Sequence, residues 1–477
     1  MSRENTNNTI DPRKESWPFG VALFAVLFAG LSVGGFLLYW AIPSFWPHPL
    51  VIYELENGEE VLALNVSWHD RKEISETGDL ALVADSDGLL RSSQVKASVQ
   101  ERAVPANDAI FVTNQSGQRL AFKPLEIRYQ NEQYVADSDA FYDKMEEAVW
   151  ASSLSKETAD TEDVEGQLVG ESKGGQEIVI PIDQIVEFYG SAQGGFLNEL
   201  GIYIKRIANY LTSNPRGGTT SGGIFPAIVG TFFLTVVMSL IVAPLGVIVA
   251  LYLSEYARPG NLLNGVRIAL NNLAGIPSVI YGVFGLGFFV YFVGGHVDRQ
   301  FFADTLPSPT FGTGGVLWAS LAMALMTLPI VIVSTEQSLR AVSKRMRDAS
   351  MALGASKWQT IWRVVLPYAT PGLLTGLILA VARAAGEVAP LMLLGVTRLA
   401  PQILVSGDFP FFHFEGKFMH LGYHVYDLTF HSSNSVEAVP FVFVTSLLLV
   451  GLIFFMNLTA VIVRRVLLEQ QRKLGSL

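Results

Sequence analysis

The chain has 477 residues, of which 50% are hydrophobic and only 16% are charged, and its formal net charge is −10. This composition indicates a membrane protein that carries a soluble portion. Because no cysteine occurs, disulfides and thiolate metal sites are excluded. The soluble portion has no basic patch interleaved with aromatic residues, so its sequence gives poor support to nucleic-acid binding.

Six stretches are long and apolar enough to cross a bilayer, which takes about 20 residues. The first is too long for the apolar core of a secretory signal, and no small-residue cleavage site follows it, so we interpret it as a retained helix. The predicted fold class is therefore an all-α polytopic membrane protein with six transmembrane helices. The predicted spans are Pro18–Ile42, Ile224–Leu253, Leu273–Val293, Gly315–Val333, Thr370–Leu394 and Val439–Val463.

Lysine and arginine are unevenly distributed between the two sides of these spans, and their excess marks the cytoplasmic side. The N-terminus, the loops after the second and fourth predicted spans (258–267 and 340–363) and the C-terminal tail together hold 15 basic residues. The two short loops on the opposite side, 296–313 and 396–437, hold three. We therefore predict that both termini, 1–17 and 465–477, are cytoplasmic.

Residues 43–216 form a large insertion between the first two spans. Its part from 43 to 200 holds 29 acidic and 11 basic residues, and the charge bias places it outside the cytoplasm. Strand-like runs separated by turn signals predict a small β-rich α+β domain. The runs are Val51–Leu55, Val61–Val66, Leu80–Ala84, Ala109–Thr113, Arg119–Phe122, Leu125–Tyr129 and Glu177–Ile182.

Three further segments of the insertion have their own predictions. Ser138–Lys156 is predicted to be helical, and the acidic stretch Thr158–Gly175 is predicted to be loose. Phe196–Leu211 is predicted to be an amphipathic helix along the membrane surface, with Lys205 and Arg206 on its polar side.

The basic segment 338–367 is predicted to form two helices joined by a sharp turn. Apolar residues at spacings of three and four, from Leu339 to Leu353, predict the first helix. Gly354 stands where a left-handed cap is needed, and Ser356 with Gln359 has the spacing of a capping box. Pro367 is predicted to end the second helix. The segment suits either a rigid cytoplasmic lever or an ordinary helix on the membrane surface.

The fifth predicted span contains a charged pair, Arg383 and Glu387, four residues apart. Charges in a spanning helix cost about 2.5–3.5 kcal/mol each on insertion scales, so they usually face a partner or a water-filled path. Arginine suits phosphate or carboxylate because its planar fork binds two oxygens. The pair therefore predicts a path for an anion, and a packing role as a buried ion pair is the alternative. Pro390 is expected to loosen the helix beside it.

Catalytic and metal sites are not predicted. His420 and His424 have the spacing of a metal pair, but no carboxylate–histidine pattern surrounds them, so an outer gate or docking surface is favoured. The chain lacks a nucleotide-binding loop of the type GxxxxGK[ST], so it is not itself a motor or an enzyme.

The residues Asp348, Ala349, Ser350 and Gly354, followed by Val364, Leu366 and Pro367, resemble the cytoplasmic coupling loop of ABC import permeases. That loop has the consensus Glu-Ala-Ala, three residues, Gly, nine residues, Ile, one residue, Leu-Pro. The spacing is intact here, while Asp, Ser and Val replace Glu, the second Ala and Ile. The resemblance implies that the segment couples the chain to an ATPase.

Several stretches are similar to the phosphate-specific permeases of the PstA type: 222–226, 274–282, 352–366 and 383–390. The resemblance covers the first span and a permease domain at about 217–464. That family often has Thr where this chain has Val388, and the acidic insertion departs from its compact members.

The resemblance implies a type I ABC importer in a bacterial inner membrane, with residues 43–200 in the periplasm. The implied partners are a PstC-like permease chain, two PstB-like ATPase subunits that bind ATP and magnesium, and a PstS-like phosphate-binding protein. This chain would hold no cofactor, and Arg383 and Glu387 would line the path. The alternatives are a permease for sulfate or molybdate, or a membrane-bound phosphate-sensing scaffold.

Overall fold

A computed structural model gives the architecture of most of the chain. The residues that it describes are 28–46, 50–54, 60–64, 79–84, 89–95, 104–105, 109–114, 118–130, 132–136, 138, 141–158, 166–172, 175–190, 196–215, 222–400, 404–405, 411–432 and 435–475. Residues 18–27 of the predicted first span lie outside them. The described remainder of that span, Phe28–Ala41 (α1), is an apolar helix.

Five helical stretches within the described residues are long and apolar enough to cross a membrane. They are Phe225–Tyr256, Ser278–Phe301, Val316–Ala341, Lys357–Gly386 and Ala438–Glu469. Each overlaps one of the last five predicted spans. The helices of this part of the chain are Phe225–Leu251 (α4), Asn261–Ala274 (α5), Ser278–Phe284 (α6), Gly295–Phe301 (α7), Val316–Ala341 (α8), Lys344–Ala352 (α9), Lys357–Thr360 (α10), Leu366–Gly386 (α11), Leu421–Phe430 (α12) and Ser435–Gly475 (α13).

Three turns of π-helix continue or join these helices, at Tyr252–Tyr256, Gly285–Gly294 and Ile361–Val365. The predicted start of the third span at Leu273 was wrong. Leu273 and Ala274 end the separate helix α5, and the chain bends through Gly275 to Pro277 before α6 begins. Proline removes the backbone donor that would continue α5 into α6.

Helices α8 and α11 approach each other closely because small residues line their contact. A Cβ placed on Gly376 would lie 2.6 Å from Cβ of Ser334, and one on Gly372 would meet the Ser338 hydroxyl. The Ser334 hydroxyl donates to the carbonyl of Gly372 at 3.1 Å. Such small-residue contacts are typical of helix pairs in lipid, where close packing replaces the hydrophobic driving force.

The predicted extension of the fifth span to Leu394 was wrong, because α11 ends at Gly386. Glu387 has extended backbone angles, φ −84° and ψ 134°, and only a short 3₁₀ turn follows at Leu391–Leu393. Pro390 cannot donate to the helix and restricts Ala389 before it, which favours an end at this point. Arg383 therefore lies in the last turn of α11, and Glu387 just beyond it.

The inserted region contains two antiparallel sheets. The first has the strand order β4-β3-β2-β1-β5 and the second β10-β9-β7-β6-β11, with β8 paired to β7. The strands are Leu50–Glu54 (β1), Glu60–Leu64 (β2), Asp79–Ala84 (β3), Leu90–Val95 (β4), Val104–Pro105 (β5), Ile110–Asn114 (β6), Arg119–Tyr129 (β7), Glu132–Val135 (β8), Gly166–Glu171 (β9), Glu177–Pro181 (β10) and Ile185–Gly190 (β11). Helix Phe141–Thr158 (α2) buries Phe141 and Met145 against the second sheet.

Two predictions for this region needed correction. The two runs from Arg119 to Tyr129 form one strand, and Pro124 is accommodated where the register shifts. The stretch predicted to be loose contains β9, which pairs with both β7 and β10. Leu168 and Val169 of β9 are fully buried, so tertiary packing outweighs the acidic composition around them.

Helix Phe196–Thr212 (α3) connects the sheets to the membrane helices. Ile202 packs in a cluster with residues of both sheets, and Lys205 pairs with Glu146 of α2 at 2.6 Å. On its other side the Tyr210 ring packs at a tilt against Phe45, which follows α1, with ring centroids 5.2 Å apart, and its hydroxyl hydrogen-bonds to Thr445 of α13 at 3.1 Å. The predicted amphipathic helix is therefore present, and it contacts both parts of the chain.

Candidate transport path and coupling segment

The segment 338–367, called the coupling segment after its predicted role, is divided differently from its prediction. One helix from Leu339 to Leu353 was expected, but α8 ends at Ala341 and α9 begins at Lys344. Ser343 between them is extended, with ψ 135°. The apolar spacing therefore spans two helices, and Leu339 is buried while Leu353 is 90% exposed.

The turn between α9 and α10 has the expected chemistry. Gly354 has φ +86°, the left-handed region in which glycine carries no Cβ penalty. Ser356 accepts the backbone N–H of Gln359 at 3.2 Å, and the Gln359 side chain accepts that of Ser356 at 2.9 Å. The capping box is thus complete, and it fixes the direction in which α10 leaves the turn.

The prediction that Pro367 ends the second helix was wrong. From Lys357 to Gly386 the chain is one continuous helical stretch, and Pro367 lies at the start of α11 within it. The preceding π-helical turn has the N–H of Leu366 bonded to the carbonyl of Ile361. The wider π-helical turn leaves space for the proline ring. The N–H that proline lacks is then not needed for a helical hydrogen bond.

The coupling segment is held by two cations to the π-helical turn Tyr252–Tyr256, which continues α4. Arg347 of α9 donates to the carboxylate of Glu255 and, at 2.5 Å, to the carbonyl of Leu339 at the end of α8. Lys357 of α10 donates to the carbonyl of Glu255 and lies 4.7 Å from the ring centre of Tyr256. Glu255 and Arg347 are largely buried, so a displacement of the segment also displaces α4 and α8.

The tip of the segment exposes apolar side chains to the outside of the chain. Leu353 and Met351 border the Gly354 turn, and Trp358 packs edge-on against Trp362 at 5.5 Å on the neighbouring face. Asp348 and Ala349 are exposed on α9, whereas Ser350 is half-buried with its hydroxyl 3.0 Å from that of Thr360. The turn at Gly354, called the elbow, thus exposes apolar side chains on a segment that Arg347 and Lys357 hold in place. Such a surface is suited to contact with another protein.

Arg383 and Glu387 lie together at the opposite end of the same helical stretch. The Arg383 Nε atom is 3.7 Å from Oε1 of Glu387, which is too long for a hydrogen bond, and the side chains are 39% and 23% exposed. The guanidinium is therefore near a compensating charge but keeps donors available on its exposed side. That arrangement can bind an anion reversibly.

Two glycines allow neighbouring helices to pack closely against the segment that follows α11. A Cβ on Gly282 of α6 would lie 2.8 Å from Cα of Pro390, and a Cβ on Gly422 of α12 would lie 2.8 Å from Cγ2 of Val388. The residues that follow Glu387 are thus packed against α6 at Pro390 and against the start of α12 at Val388. Leu421 is anchored in turn, because its N–H donates to the Thr231 hydroxyl of α4 at 2.9 Å.

The two histidines considered for metal binding occupy α12 and its cap. His420 is fully buried and its Nδ1 accepts the N–H of Gly422 at 3.1 Å, while His424 is buried one turn further on. Burial lowers the pKa of each from its usual 6.5 to about 4, and nearby Arg398 adds to the effect on His424. Both rings are neutral at physiological pH and act as packing and capping groups.

This burial predicts a loss of stability in acid. The unfolded chain takes up a proton on each histidine near pH 6.5, whereas the folded chain does so near 4, so stability falls between these values. The slope is about 1.4 kcal/mol per pH unit for each histidine. We expect the unfolding temperature of the purified protein, measured from pH 8 to 4, to fall less steeply in His420→Asn, because asparagine can still cap Gly422 and does not titrate.

His296→Asn serves as the control for this prediction, since His296 is exposed. Its variant should follow the parental pH profile. Identical profiles for His420→Asn and the parental chain would contradict a proton uptake at His420.

The residues missed in the sequence are mostly partners of residues that were noticed. Glu255 was overlooked although it is an acid at the end of a span among basic residues, which is a signal for a buried pair. Arg398, whose Nε donates to Asp427 Oδ2 at 2.8 Å, was counted only as a loop charge. Both pairs join segments far apart in the chain, so local spacing gives no sign of them.

Residues 242–468 match the family of binding-protein-dependent transport system inner membrane components. The matched range includes the coupling segment, the charged pair and the helices α8 and α11 that join them. This part of the chain is similar to the inner membrane components of such transport systems. The family consists of transport components and not of enzymes.

Curated relatives of this chain carry more specific descriptions. The phosphate transport system permease protein PstA of Mycobacterium leprae is 36% identical over 202 residues, which is 42% of this chain and 60% of the relative. PstA of Haemophilus influenzae is 35% identical over 43% of this chain and 64% of its own length. The probable ABC transporter permease protein YqgH of Bacillus subtilis is 36% identical over 40% of this chain and 60% of its own. The chain thus spans less than two thirds of these relatives.

Two solved transporters are also similar to part of this chain. The inward-facing MetNI methionine ABC transporter shares 20% identity, covers 51% of this chain and 94% of its own, and has a TM-score of 0.36. A bacterial ABC transporter that imports alginate shares 15% identity, covers 52% of this chain and 78% of its own, and has the same TM-score, 0.36.

Proposed function

We propose that this chain is a permease subunit of an ATP-driven importer of inorganic phosphate. The observation that carries the proposal is the continuous helical stretch Lys357–Gly386, which has the coupling segment at one end and the Arg383–Glu387 pair at the other. A rigid element of this length, about 45 Å at 1.5 Å per residue, transmits a displacement across the membrane. Force applied at the cytoplasmic end therefore reaches the charged pair.

The cytoplasmic end is the proposed contact with an ATPase partner. Asp348, Ala349, Ser350 and Gly354 shape the elbow, and its apolar tip at Leu353 would enter a cleft of that partner. Leu366 and Pro367 connect the elbow to α11. Because Arg347 and Lys357 hold the elbow to α4, closure of two ATPase subunits on ATP would move α4, α8 and α11 together.

The other end is the proposed path, and its chemistry favours phosphate. Arg383 supplies positive charge with free donors, which suits any oxyanion. Glu387, as a carboxylate, only accepts hydrogen bonds. Phosphate carries at least one proton near neutral pH and can donate it to Glu387, whereas sulfate is fully deprotonated and would be repelled. The names of the PstA relatives state the same substrate, phosphate.

The remaining parts follow from this assignment. The chain would sit in a bacterial inner membrane with six spans, both termini in the cytoplasm and the inserted domain, residues 43–200, in the periplasm. A PstC-like permease chain would complete the path, two PstB-like subunits would hydrolyse ATP with magnesium, and a PstS-like protein would deliver phosphate. This chain would hold no cofactor of its own.

The test is transport by the full complex, reconstituted into proteoliposomes with its ATPase and binding-protein partners. We expect ATP-dependent uptake of phosphate and little uptake of sulfate or molybdate. Glu387→Gln should weaken the discrimination against sulfate, because the amide can donate to a deprotonated oxyanion. Uptake of sulfate in preference to phosphate would identify another oxyanion permease. Absence of any uptake, with phosphate binding to residues 43–200, would instead favour the sensing scaffold.

A further inference from the structure

A second arginine–carboxylate pair lies outside the one already described. Arg398 follows α11 by an irregular segment, and its place is fixed because the N–H of the neighbouring Thr397 donates to the carbonyl of Phe418 at 2.9 Å. Its Nε atom donates to Oδ2 of Asp427 in α12 at 2.8 Å. Asp427 is only 3% exposed, whereas the Arg398 side chain is 51% exposed.

This contact orients the guanidinium without using all of its donors. Asp427 engages Nε, and among the described residues no acceptor bonds to the two terminal nitrogens of Arg398. The second oxygen of Asp427 lies 3.6 Å from Nδ1 of His431, so the carboxylate is shared. The outer edge of a guanidinium held in this way presents two parallel donors, which is the geometry that binds an oxyanion.

Helix α12 connects this pair to Arg383 and Glu387. Gly422, near the start of α12, packs against Val388, which directly follows Glu387. Asp427 lies five residues further along the same helix, or about 7.5 Å at helical rise. The two arginine–carboxylate pairs are therefore arranged along one short helix, with Arg398 on the loop predicted to face outward.

We propose that Arg398 is an outer anion-binding subsite, which an oxyanion occupies before it moves to Arg383. The inference rests on the proposed function, since it assigns the same substrate to a second position. In both pairs an arginine lies beside a single carboxylate, and part of its guanidinium stays exposed. A shared carboxylate weakens anion binding enough for the anion to be passed on. The structural alternative is a latch, in which Arg398 serves only to hold α12.

The absence of cysteine from this chain makes a direct test possible, because an introduced thiol is then the single thiol of this subunit. Arg398→Cys in the reconstituted complex would be treated with methanethiosulfonate reagents that add an aminoethyl, a methyl or a sulfonatoethyl group. We expect the initial rate of uptake at low phosphate to fall roughly 10-fold in the untreated variant, the ratio that loss of a charge-assisted hydrogen bond produces. The aminoethyl group should restore at least half of it.

The charge of the group added to the introduced thiol distinguishes an anion subsite from a structural latch. Restoration by the aminoethyl group but not by the methyl group, with a further loss on sulfonatoethylation, supports an anion subsite. Unchanged uptake in Arg398→Cys, or equal restoration by the methyl group, overturns it. Arg299→Cys, an exposed arginine on α7, is the matched control and should transport normally with all three reagents. Failure of the parental complex to import phosphate would contradict the proposed function itself.

Discussion

Arg383→Ala should reduce phosphate uptake by the reconstituted complex at least 10-fold, with the amount of protein in the membrane unchanged. The substitution removes the positive charge and the free donors beside Glu387, and it leaves a carboxylate that repels the anion. Loss of charge-assisted hydrogen bonds worth about 1.5–3 kcal/mol corresponds to a 10- to 150-fold effect. Initial rates of labelled phosphate uptake, driven by ATP, give the measurement.

A second variant separates a transport role from a packing role. If the pair only fixes helix packing, then Arg383→Ala with Glu387→Gln removes the unpaired charge and should restore uptake. If Arg383 binds the anion, the double variant should remain inactive. Arg299→Ala is the matched control, since it removes an exposed arginine from α7 and should leave uptake unchanged. Recovery of the double variant would therefore count against the path.

Arg347→Ala should uncouple ATP hydrolysis from transport. Arg347 holds the coupling segment to Glu255 of α4 and to the carbonyl of Leu339. Without it an ATPase partner can still move the elbow, but the displacement reaches α4 and α8 less completely. We expect phosphate uptake to fall about 10-fold, as the loss of a largely buried ion pair of several kcal/mol permits, while ATP hydrolysis by the same complex is largely retained.

Arg340→Ala is the comparison for this effect. Arg340 lies near the same end of α8, and the Glu336 carboxylate that it contacts at 2.6 Å keeps Arg267 at the same distance. Its loss should change neither activity. Because Arg347→Ala leaves Glu255 without its partner, the variant Arg347→Gln with Glu255→Gln tests whether the contact or the unpaired charge matters. A proportional fall of uptake and hydrolysis in Arg347→Ala would indicate lost assembly and not uncoupling.

Much of the membrane part could be predicted because its signals are local. Apolar length alone located five spans, and the positive φ of Gly354 and the capping box at Ser356 follow from residue types within one turn. The charged pair was recognisable because charge is rare in apolar helices. These features depend on the backbone and on solvation, which each short segment determines for itself.

The parts that failed depend on contacts between distant segments. A proline normally ends a helix, but at Pro367 the π-helical turn before it removes the conflict, and no sequence rule places such a turn. Strand β9 exists because β7 and β10 flank it, despite an acidic setting. The pairs of Arg347 with Glu255 and of Arg398 with Asp427 join residues 92 and 29 positions apart.

Helix α3 changes where the inserted region can be separated from the rest. Although it belongs to the insertion by position, Tyr203, Ile207 and Tyr210 pack in one cluster with Phe45 and with residues of α4 and α13. Among the described residues, its contacts with the rest of the inserted region include Ile202 and the exposed pair of Lys205 with Glu146 of α2. A variant that lacks the inserted region should therefore retain α3, so its deletion should end at residue 195. A deletion that extended to residue 216 would also remove the aromatic side chains Tyr203 and Tyr210, which pack next to the end of α1 and the start of α13.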